Sequence, residues 1–130
     1  MMSEKLTVEI ITPESSFLKS EAIEVVIPSY EGYLGILKDH IPLITFLRPG
    51  IISIKNQEEE KYFIEEGTVE FSNNNLLILT STVKDLKNFD KNLINNLIEE
   101  SEKKLKDGNS LDKEKYLISC KIDTLKEINQ

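Results

Sequence analysis

Hydrophobic and polar residues alternate with a period of two at the start of the chain, most clearly over residues 6–11. Short β-branched or apolar runs follow at residues 22–27, 51–54, 62–64, 69–71 and 76–79. Turn-forming residues separate the later runs, at residues 56–60, 67 and 73–75. Short strands at this spacing predict a β-sandwich or barrel. Several runs are apolar on both faces, which favours two sheets packed over one core.

From about Phe89 the pattern changes to a helical period. A first apolar face is formed by Leu93, Ile94, Leu97, Ile98 and Leu105, and a second by Leu111, Leu117, Ile118, Ile122, Leu125 and Ile128. Asp90 is placed to cap the first helix, and Lys103, Lys104 and Lys106 suit its C-terminal dipole. Gly108 offers a C-cap and Ser110 an N-cap for the second helix. The sequence therefore predicts an α+β chain, with a β-sandwich over residues 1–86 and an antiparallel helical hairpin over residues 87–130.

Each predicted helix is only about four turns long, and such a hairpin alone is marginally stable in water. Its apolar faces must pack on each other, on the sandwich or on another protein. A hairpin of this kind can switch between arrangements of similar free energy. A static hairpin that only completes the fold is equally compatible with the sequence.

The distribution of charge supports a boundary near residue 86. The 130-residue chain has a formal net charge of −7. Residues 1–86 hold 7 Lys and Arg against 14 Asp and Glu, whereas residues 87–130 hold 9 of each sign. An acidic chain of this composition argues against nucleic-acid binding through a basic patch.

Few residues suggest chemistry or membrane insertion. No stretch approaches the roughly 20 apolar residues that span a bilayer, and the start of the chain lacks the apolar region of a signal peptide, so we expect a cytoplasmic protein. Cys120 is the single cysteine, which excludes a disulfide framework, and we expect it at the edge of a core. We expect no metal site and no cofactor. His40, beside Asp39, is the one histidine, and no nucleophile motif accompanies it.

Residues 28–50 are rich in the glycines and prolines that form turns. Gly32 and Gly35 tolerate positive φ, Pro42 and Pro49 fix φ, and Pro49-Gly50 is a strong turn dipeptide. Apolar residues fill the spaces between them. The segment predicts a loop-rich corner of a β protein, although the aromatic and basic residues at its turns also suit a partner-binding surface.

The same segment resembles the signature of the epsilon subunit of F-type ATP synthases. Four elements are in register: Glu31-Gly32, Gly35-Ile36-Leu37, the segment from His40 to Thr45, and Leu47-Arg48-Pro49-Gly50. The opening at residues 6–14 and the segment at residues 66–71 are also similar to that family. The resemblance covers nearly the whole chain and implies a sandwich followed by a helical hairpin. It also implies a regulatory rotor subunit that performs no chemistry.

The resemblance implies three partners. Glu31, Gly32 and Tyr33 would face the c-ring. The gamma subunit would be met by His40, Pro42, Leu43 and Thr45. The hairpin would fold on the sandwich or extend toward the alpha/beta hexamer, and the extended form would restrain ATP hydrolysis. In that form, acidic loops of the hexamer would contact four lysines of the second helix: Lys113, Lys115, Lys121 and Lys126. Membrane association would arise only through the complex, at the cytoplasmic face of the bacterial inner membrane.

The chain departs from the family pattern at two positions. The family's Pro-Gly before the histidine is Lys38-Asp39 here, and we expect the turn to persist because Asp tolerates turn positions. Some bacterial members bind ATP through an Asp-x-x-Arg segment of the first helix. Asp90 matches that aspartate, but Leu93 occupies the arginine position and cannot pair with phosphate. We therefore expect weak ATP binding at best.

Two other functions remain open from the residues alone. A free-standing adaptor could bind a partner through its sandwich and carry a merely structural hairpin. A small hydrolase would depend on His40. Co-purification of a gamma-like partner distinguishes the rotor subunit from the adaptor, and turnover by the purified chain would identify the hydrolase.

Overall fold

The computed structural model describes residues 4–107 and 111–129. Ten strands come first: β1 Leu6–Ile11, β2 Ser16–Ala22, β3 Glu24–Ser29, β4 Gly32–Leu37, β5 Leu43–Leu47, β6 Gly50–Lys55, β7 Glu59–Ile64, β8 Gly67–Ser72, β9 Asn75–Leu79 and β10 Val83–Asp85. A 3₁₀ turn at Leu86–Asn88 leads into two helices, α1 Lys91–Lys106 and α2 Asp112–Ile128. The predicted sandwich followed by a helical hairpin is confirmed.

The strands form one hydrogen-bonded sheet that folds over into two layers. Its order is β10-β7-β6-β3-β5-β8-β9-β1-β2, and β4 pairs with the other edge of β3. Strand β3 joins the layers, because its first residues pair with β6 whereas Ser29 pairs with Leu47 of β5. Strands β1 and β9 are parallel, and the other pairs are antiparallel. This fold places the β3–β4 turn close to the end of β5 and the start of β6.

The interior between the layers is filled by side chains from both sheets. Phe71 is the largest fully buried residue there, and Leu6, Ile27, Ile52 and Ile78 are buried with it. Inward-facing residues alternate with outward ones, as the pattern of residues 6–11 predicts. The apolar core is therefore closed by strands alone.

The prediction of a loop-rich corner at residues 28–50 is wrong. Two strands, β4 and β5, lie within it, and β4 pairs with β3 over all six of its residues. Strand β3 also continues through Pro28 to Ser29. The glycines and prolines of this segment permit close packing as well as turns, since a Cβ on Gly50 would lie only 2.5 Å from the Cβ of Pro28. Gly32 is the one glycine with positive φ, at +132°, among the described residues.

Helix α1 begins where its cap was predicted. The Asp90 carboxylate accepts a hydrogen bond from the backbone N–H of Asn92 at 3.1 Å. Ile94 and Ile98 are buried, but Leu93, placed on the same face by the sequence pattern, is 39% exposed. Successive residues of a helix are about 100° apart around its axis, so Leu93 lies well to one side of Ile94. The buried stripe is narrow, and Leu93 therefore stays partly exposed at its edge.

Helix α2 packs antiparallel to α1 and places Leu125 in their shared core. Leu111 occupies the N-cap position of α2 and is exposed, so its predicted place in the apolar stripe is wrong. The C-cap position of α1 is Asp107 rather than Gly108. Gly108 and Ser110, the predicted caps, lie outside the described residues.

Within the described residues, no helix is both long enough and apolar enough to cross a membrane.

Candidate partner-binding surfaces

The predicted c-ring contact is the turn between β3 and β4. Tyr30 and Glu31 form its tip, between the paired residues Ser29 and Gly32. The Ser29 hydroxyl donates a hydrogen bond to the Gly32 carbonyl at 2.6 Å, which closes the turn. Glu31 is exposed at the tip. The backbone at Gly32 requires glycine, because an L side chain is strained at a φ of +132°.

Tyr33 connects this turn to the neighbouring strand. Its hydroxyl accepts a hydrogen bond from the N–H of Ile51 at 3.3 Å, although the side chain is half exposed. Arg48 lies over the Tyr33 ring, 5.0 Å from its centroid, and donates a hydrogen bond to the Pro49 carbonyl at 2.8 Å. Sequence reasoning assigned no role to Arg48. In the structure it connects the Tyr33 ring with the Pro49 carbonyl at the base of the turn.

The predicted gamma contact runs from the β4–β5 connection into β5. Pro42 is exposed, whereas Leu43 and Thr45 are half buried and face inward. His40 Nδ1 is 2.8 Å from the Ile41 carbonyl, and its ring meets Phe71 edge-on at 6.1 Å. Through these contacts, His40 holds the β4–β5 connection against the sandwich.

The turn that contains Lys38 and Asp39 persists, as expected. Asp39 adopts a φ of 67°. Its N–H donates to the Asn74 side-chain oxygen at 2.7 Å, and the Asn74 amide donates back to the Asp39 carboxylate at 3.1 Å. A short polar side chain tolerates this left-handed backbone, so Asp39 replaces the family's glycine without loss of the turn.

An exposed apolar face that sequence reasoning missed lies on the outer side of β5, β8 and β9. Ile44 is 76% exposed, Phe46 is 64% exposed and Leu79 is 44% exposed. The register places Phe46 opposite Thr68, and Thr68 opposite Leu79, so these side chains share one face. The signal lies in residues 43–47, which are apolar at every position except Thr45. A strand of this composition has apolar residues on both faces, so one apolar face would have been expected outside the core once the segment was treated as a strand.

This apolar face, defined by Ile44, Phe46 and Leu79, continues into a groove of about 500 Å³ at the end of the sandwich. Ile11, Tyr30 and Thr80 line other sides of the groove. Glu66 forms a polar wall, where its carboxylate accepts from both the N–H and the hydroxyl of Ser81. An apolar surface beside an ordered polar rim is typical of a protein interface.

The four lysines of α2 differ in their surroundings. Lys121 forms an ion pair with Glu65 of the sandwich. Lys113 places its Nζ 5.7 Å from the centroid of the Tyr30 ring. Lys126 is exposed and Lys115 is half buried. In the folded hairpin, two of the four therefore hold α2 against the sandwich.

The residues aligned with the family's ATP segment are used differently here. The Asp90 carboxylate caps α1. Leu93 presents an aliphatic side chain to solvent. Weak ATP binding stays a prediction, which calorimetric titration of the purified chain can test.

The family model described as the ATP synthase, Delta/Epsilon chain, beta-sandwich domain matches residues 5–85. Relatives named ATP synthase epsilon chain match the chain end to end. The protein of Pelagibacter ubique is 48% identical over 98% of this chain and 100% of its own length. That of Parvibaculum lavamentivorans is 31% identical over 98% and 97%.

Solved structures share the fold. A chain of the Euglena gracilis mitochondrial ATP synthase, solved as OSCP/F1/c-ring in rotational state 1, superposes with a TM-score of 0.81, 17% identity and coverage of 100% and 84%. A chain of the Tetrahymena thermophila mitochondrial ATP synthase central stalk/c-ring gives a TM-score of 0.65 with 16% identity and complete coverage of both chains, 100% each. Together with the sequence matches, these findings show that the chain belongs to the ATP synthase epsilon chain family.

Proposed function

We propose that this chain is a non-catalytic central-stalk subunit that couples the c-ring to the gamma subunit and regulates ATP hydrolysis. The observation that carries the proposal is the end-to-end match, at 48% identity, to a protein named ATP synthase epsilon chain. The assemblies that contain the same fold are named for the central stalk, F1 and the c-ring. A rotor subunit needs binding surfaces rather than a reaction centre, and the exposed apolar face is such a surface.

The gamma subunit binds, in this proposal, at the apolar face and the connection beside it. His40, Pro42, Leu43 and Thr45 shape that region. Much of the free energy of binding comes from Ile44 and Phe46, because both side chains are largely exposed in the isolated chain and lose contact with water at the interface. At roughly 25 cal/mol per Å² of apolar surface removed from water, two such side chains contribute strongly to an interface.

The c-ring binds at Glu31, Gly32 and Tyr33. The turn is closed by the Ser29–Gly32 hydrogen bond and braced by Arg48 on Tyr33, so it presents Glu31 on a rigid support. A rigid turn loses little conformational entropy on binding, which suits a contact that must transmit torque.

Regulation comes from the hairpin. In the folded arrangement α1 and α2 pack on β7 through Phe63. In an extended arrangement, Lys113, Lys115, Lys121 and Lys126 meet acidic loops of the alpha/beta hexamer and restrain hydrolysis. Membrane association is peripheral and arises through the complex, at the cytoplasmic face of the bacterial inner membrane.

Reconstitution with gamma and the c-ring tests the two surfaces. We expect Ile44→Ser with Phe46→Ser to weaken binding to gamma at least tenfold, because each serine removes exposed apolar area without disturbing the core. Ile23→Ser is the matched control, since Ile23 is also exposed but lies on the β2–β3 connection away from that face. Binding that is equally strong in the double variant and the control would show that gamma contacts another surface.

The c-ring turn and His40 are tested in the same system. Reversed charge at the tip of the turn (Glu31→Lys), combined with His40→Asp, should weaken assembly and proton coupling. Circular dichroism of the isolated chain checks that the fold persists. Normal coupling by complexes that carry both changes would refute the residue assignment, and failure of the wild-type chain to co-purify with a gamma-like subunit would favour the free-standing adaptor.

A further inference from the structure

The tip of the β3–β4 turn lies directly against helix α2. The Tyr116 hydroxyl donates a hydrogen bond to the Tyr30 carbonyl at 3.2 Å, and the two ring centroids are 6.4 Å apart. Lys113, about one helical turn earlier, places its ammonium group over the Tyr30 ring. Two side chains of α2 therefore hold Tyr30, one through its backbone and the other through its ring.

Movement of Tyr30 cannot stay local to that residue. Only Tyr30 and Glu31 separate the paired residues Ser29 and Gly32. The Ser29–Gly32 hydrogen bond fixes the base of the turn, so rotation of the Tyr30 carbonyl must be absorbed by the peptide of Glu31. The backbone that presents Glu31 thus depends on the contact with Tyr116.

The other side of this contact is the weakly anchored half of α2. No side chain of the described residues caps the start of the helix, and the side chains of Leu111 and of the first helical residues, 112–114, are exposed. The buried anchors Ile122 and Leu125 lie two to three turns later. Contacts with Tyr30 therefore help to fix the first half of α2, together with the half-buried side chains of residues 117–120.

We infer that Tyr30 is a coupling residue, through which the order of the β3–β4 turn and the docking of α2 on the sandwich depend on each other. Coupling between two sites is reciprocal, so an event that reorders the turn shifts the hairpin equilibrium by the same factor as hairpin release shifts the turn. If the turn binds the c-ring, as proposed above, the c-ring contact and hydrolysis control share this residue. That consequence rests on the proposed function, whereas the coupling itself belongs to the isolated chain.

Amide hydrogen exchange on the full-length chain, without partners, tests the coupling. Tyr116→Phe removes one hydroxyl and keeps the ring, and we expect exchange to accelerate about two- to tenfold both in the first half of α2 and at residues 30–33. Lys113→Gln should give a smaller acceleration in the same two regions. Lys115→Gln is the matched control, because it removes the same charge from the same part of α2. Among the described residues, Lys113 and Tyr116 are the ones in α2 that contact Tyr30 through a ring or a hydrogen bond, and Lys115 does not.

Joint acceleration of helix and turn in Tyr116→Phe, absent from the Lys115→Gln control, supports the coupling. Acceleration confined to α2, no change in either region, or an equal change in the control overturns it. Because no partner is present, failure here leaves the partner assignments standing, and failure of reconstitution leaves the coupling standing.

Discussion

The sandwich and the hairpin differ in how each closes its apolar core. Among the described residues, the sandwich core is built from strands alone, and Phe71 is its largest fully buried side chain. The hairpin contributes Ile94, Ile98 and Leu125 to a much smaller buried cluster, and the remaining member, Phe63, belongs to strand β7. The sandwich is complete without the hairpin, whereas the hairpin borrows part of its core from the sandwich.

This asymmetry leads us to expect a rigid sandwich and a movable hairpin. Strand β7 uses both of its faces: Tyr62 and Ile64 point into the sandwich, and Phe63 points outward beneath the hairpin. Beyond this cluster, the hairpin is attached by contacts such as Tyr116 to Tyr30 and Lys121 to Glu65. Because such contacts contribute little individually, we expect that the hairpin can leave while the sandwich keeps its structure.

The largest effect expected is a contrast between two core substitutions. Phe71→Ala should lower the free energy of unfolding by about 3–5 kcal/mol, because it opens a cavity in the core on which the whole chain depends. Leu125→Ala should cost about 2–5 kcal/mol locally but release only the helices. Exchange protection that persists in the strands of Leu125→Ala would establish the contrast. Loss of strand protection in that variant would show that the two cores unfold together.

Removal of the hairpin tests the same asymmetry at the level of the complex. Residues 1–86 alone should unfold in one cooperative transition, and a complex that lacks residues 87–130 should hydrolyse ATP faster while still synthesising it. A shift of only about 1.4 kcal/mol in the hairpin equilibrium would change the population ratio tenfold, so the increase should be readily measurable. Truncation exposes the apolar side chain of Phe63, so Phe63→Ser in the fragment is the variant to use if that exposed side chain causes aggregation. Unchanged hydrolysis after deletion would make the hairpin purely structural.

The cap of α1 should have an intermediate effect, restricted to the hairpin. Asp90→Ala removes the acceptor for the Asn92 N–H and should destabilise the helix by about 1 kcal/mol. Asp90→Asn, which retains a capping oxygen, should recover most of the loss. Thermal unfolding followed separately by helical and strand signals measures this. An effect on the strand transition would contradict the independence of the sandwich.

Substitution of the α2 lysines should produce the smallest effects, and the two pairs of lysines should differ in which assay they change. Neutralising Lys113 and Lys121 removes contacts of the folded hairpin, each worth about 0–1 kcal/mol, so helix exchange should accelerate. Neutralising Lys115 and Lys126 should leave the folded hairpin unchanged and raise hydrolysis modestly, more at low salt because screening is weaker there. All four changes together should give part of the deletion effect. Identical behaviour of the two pairs in both assays would show that the folded contacts are energetically irrelevant.

Much of this protein could be predicted because its patterns are local. The period of two at residues 6–11 reflects alternate faces of a strand, and the stripe at Ile94 and Ile98 reflects one face of a helix. Asp90 as a cap and Asp39 in a turn follow from the hydrogen bonds that short polar side chains make near their own backbone. The motif from Glu31 to Gly50 identified the family, since its residues meet steric demands that few alternatives satisfy.

Only the tertiary structure decided what depends on neighbours distant in the chain. Strands β4 and β5 were missed because their glycines and prolines favour turns locally, and pairing with β3 and β8 overrides that preference. The exposure of Ile44 and Phe46 follows from which face of β5 the core covers. The contact between Tyr30 and Tyr116 spans 86 positions. Sequence patterns carry the propensity of a segment and its apolar period, but the docking of two finished elements is set by their shapes in space.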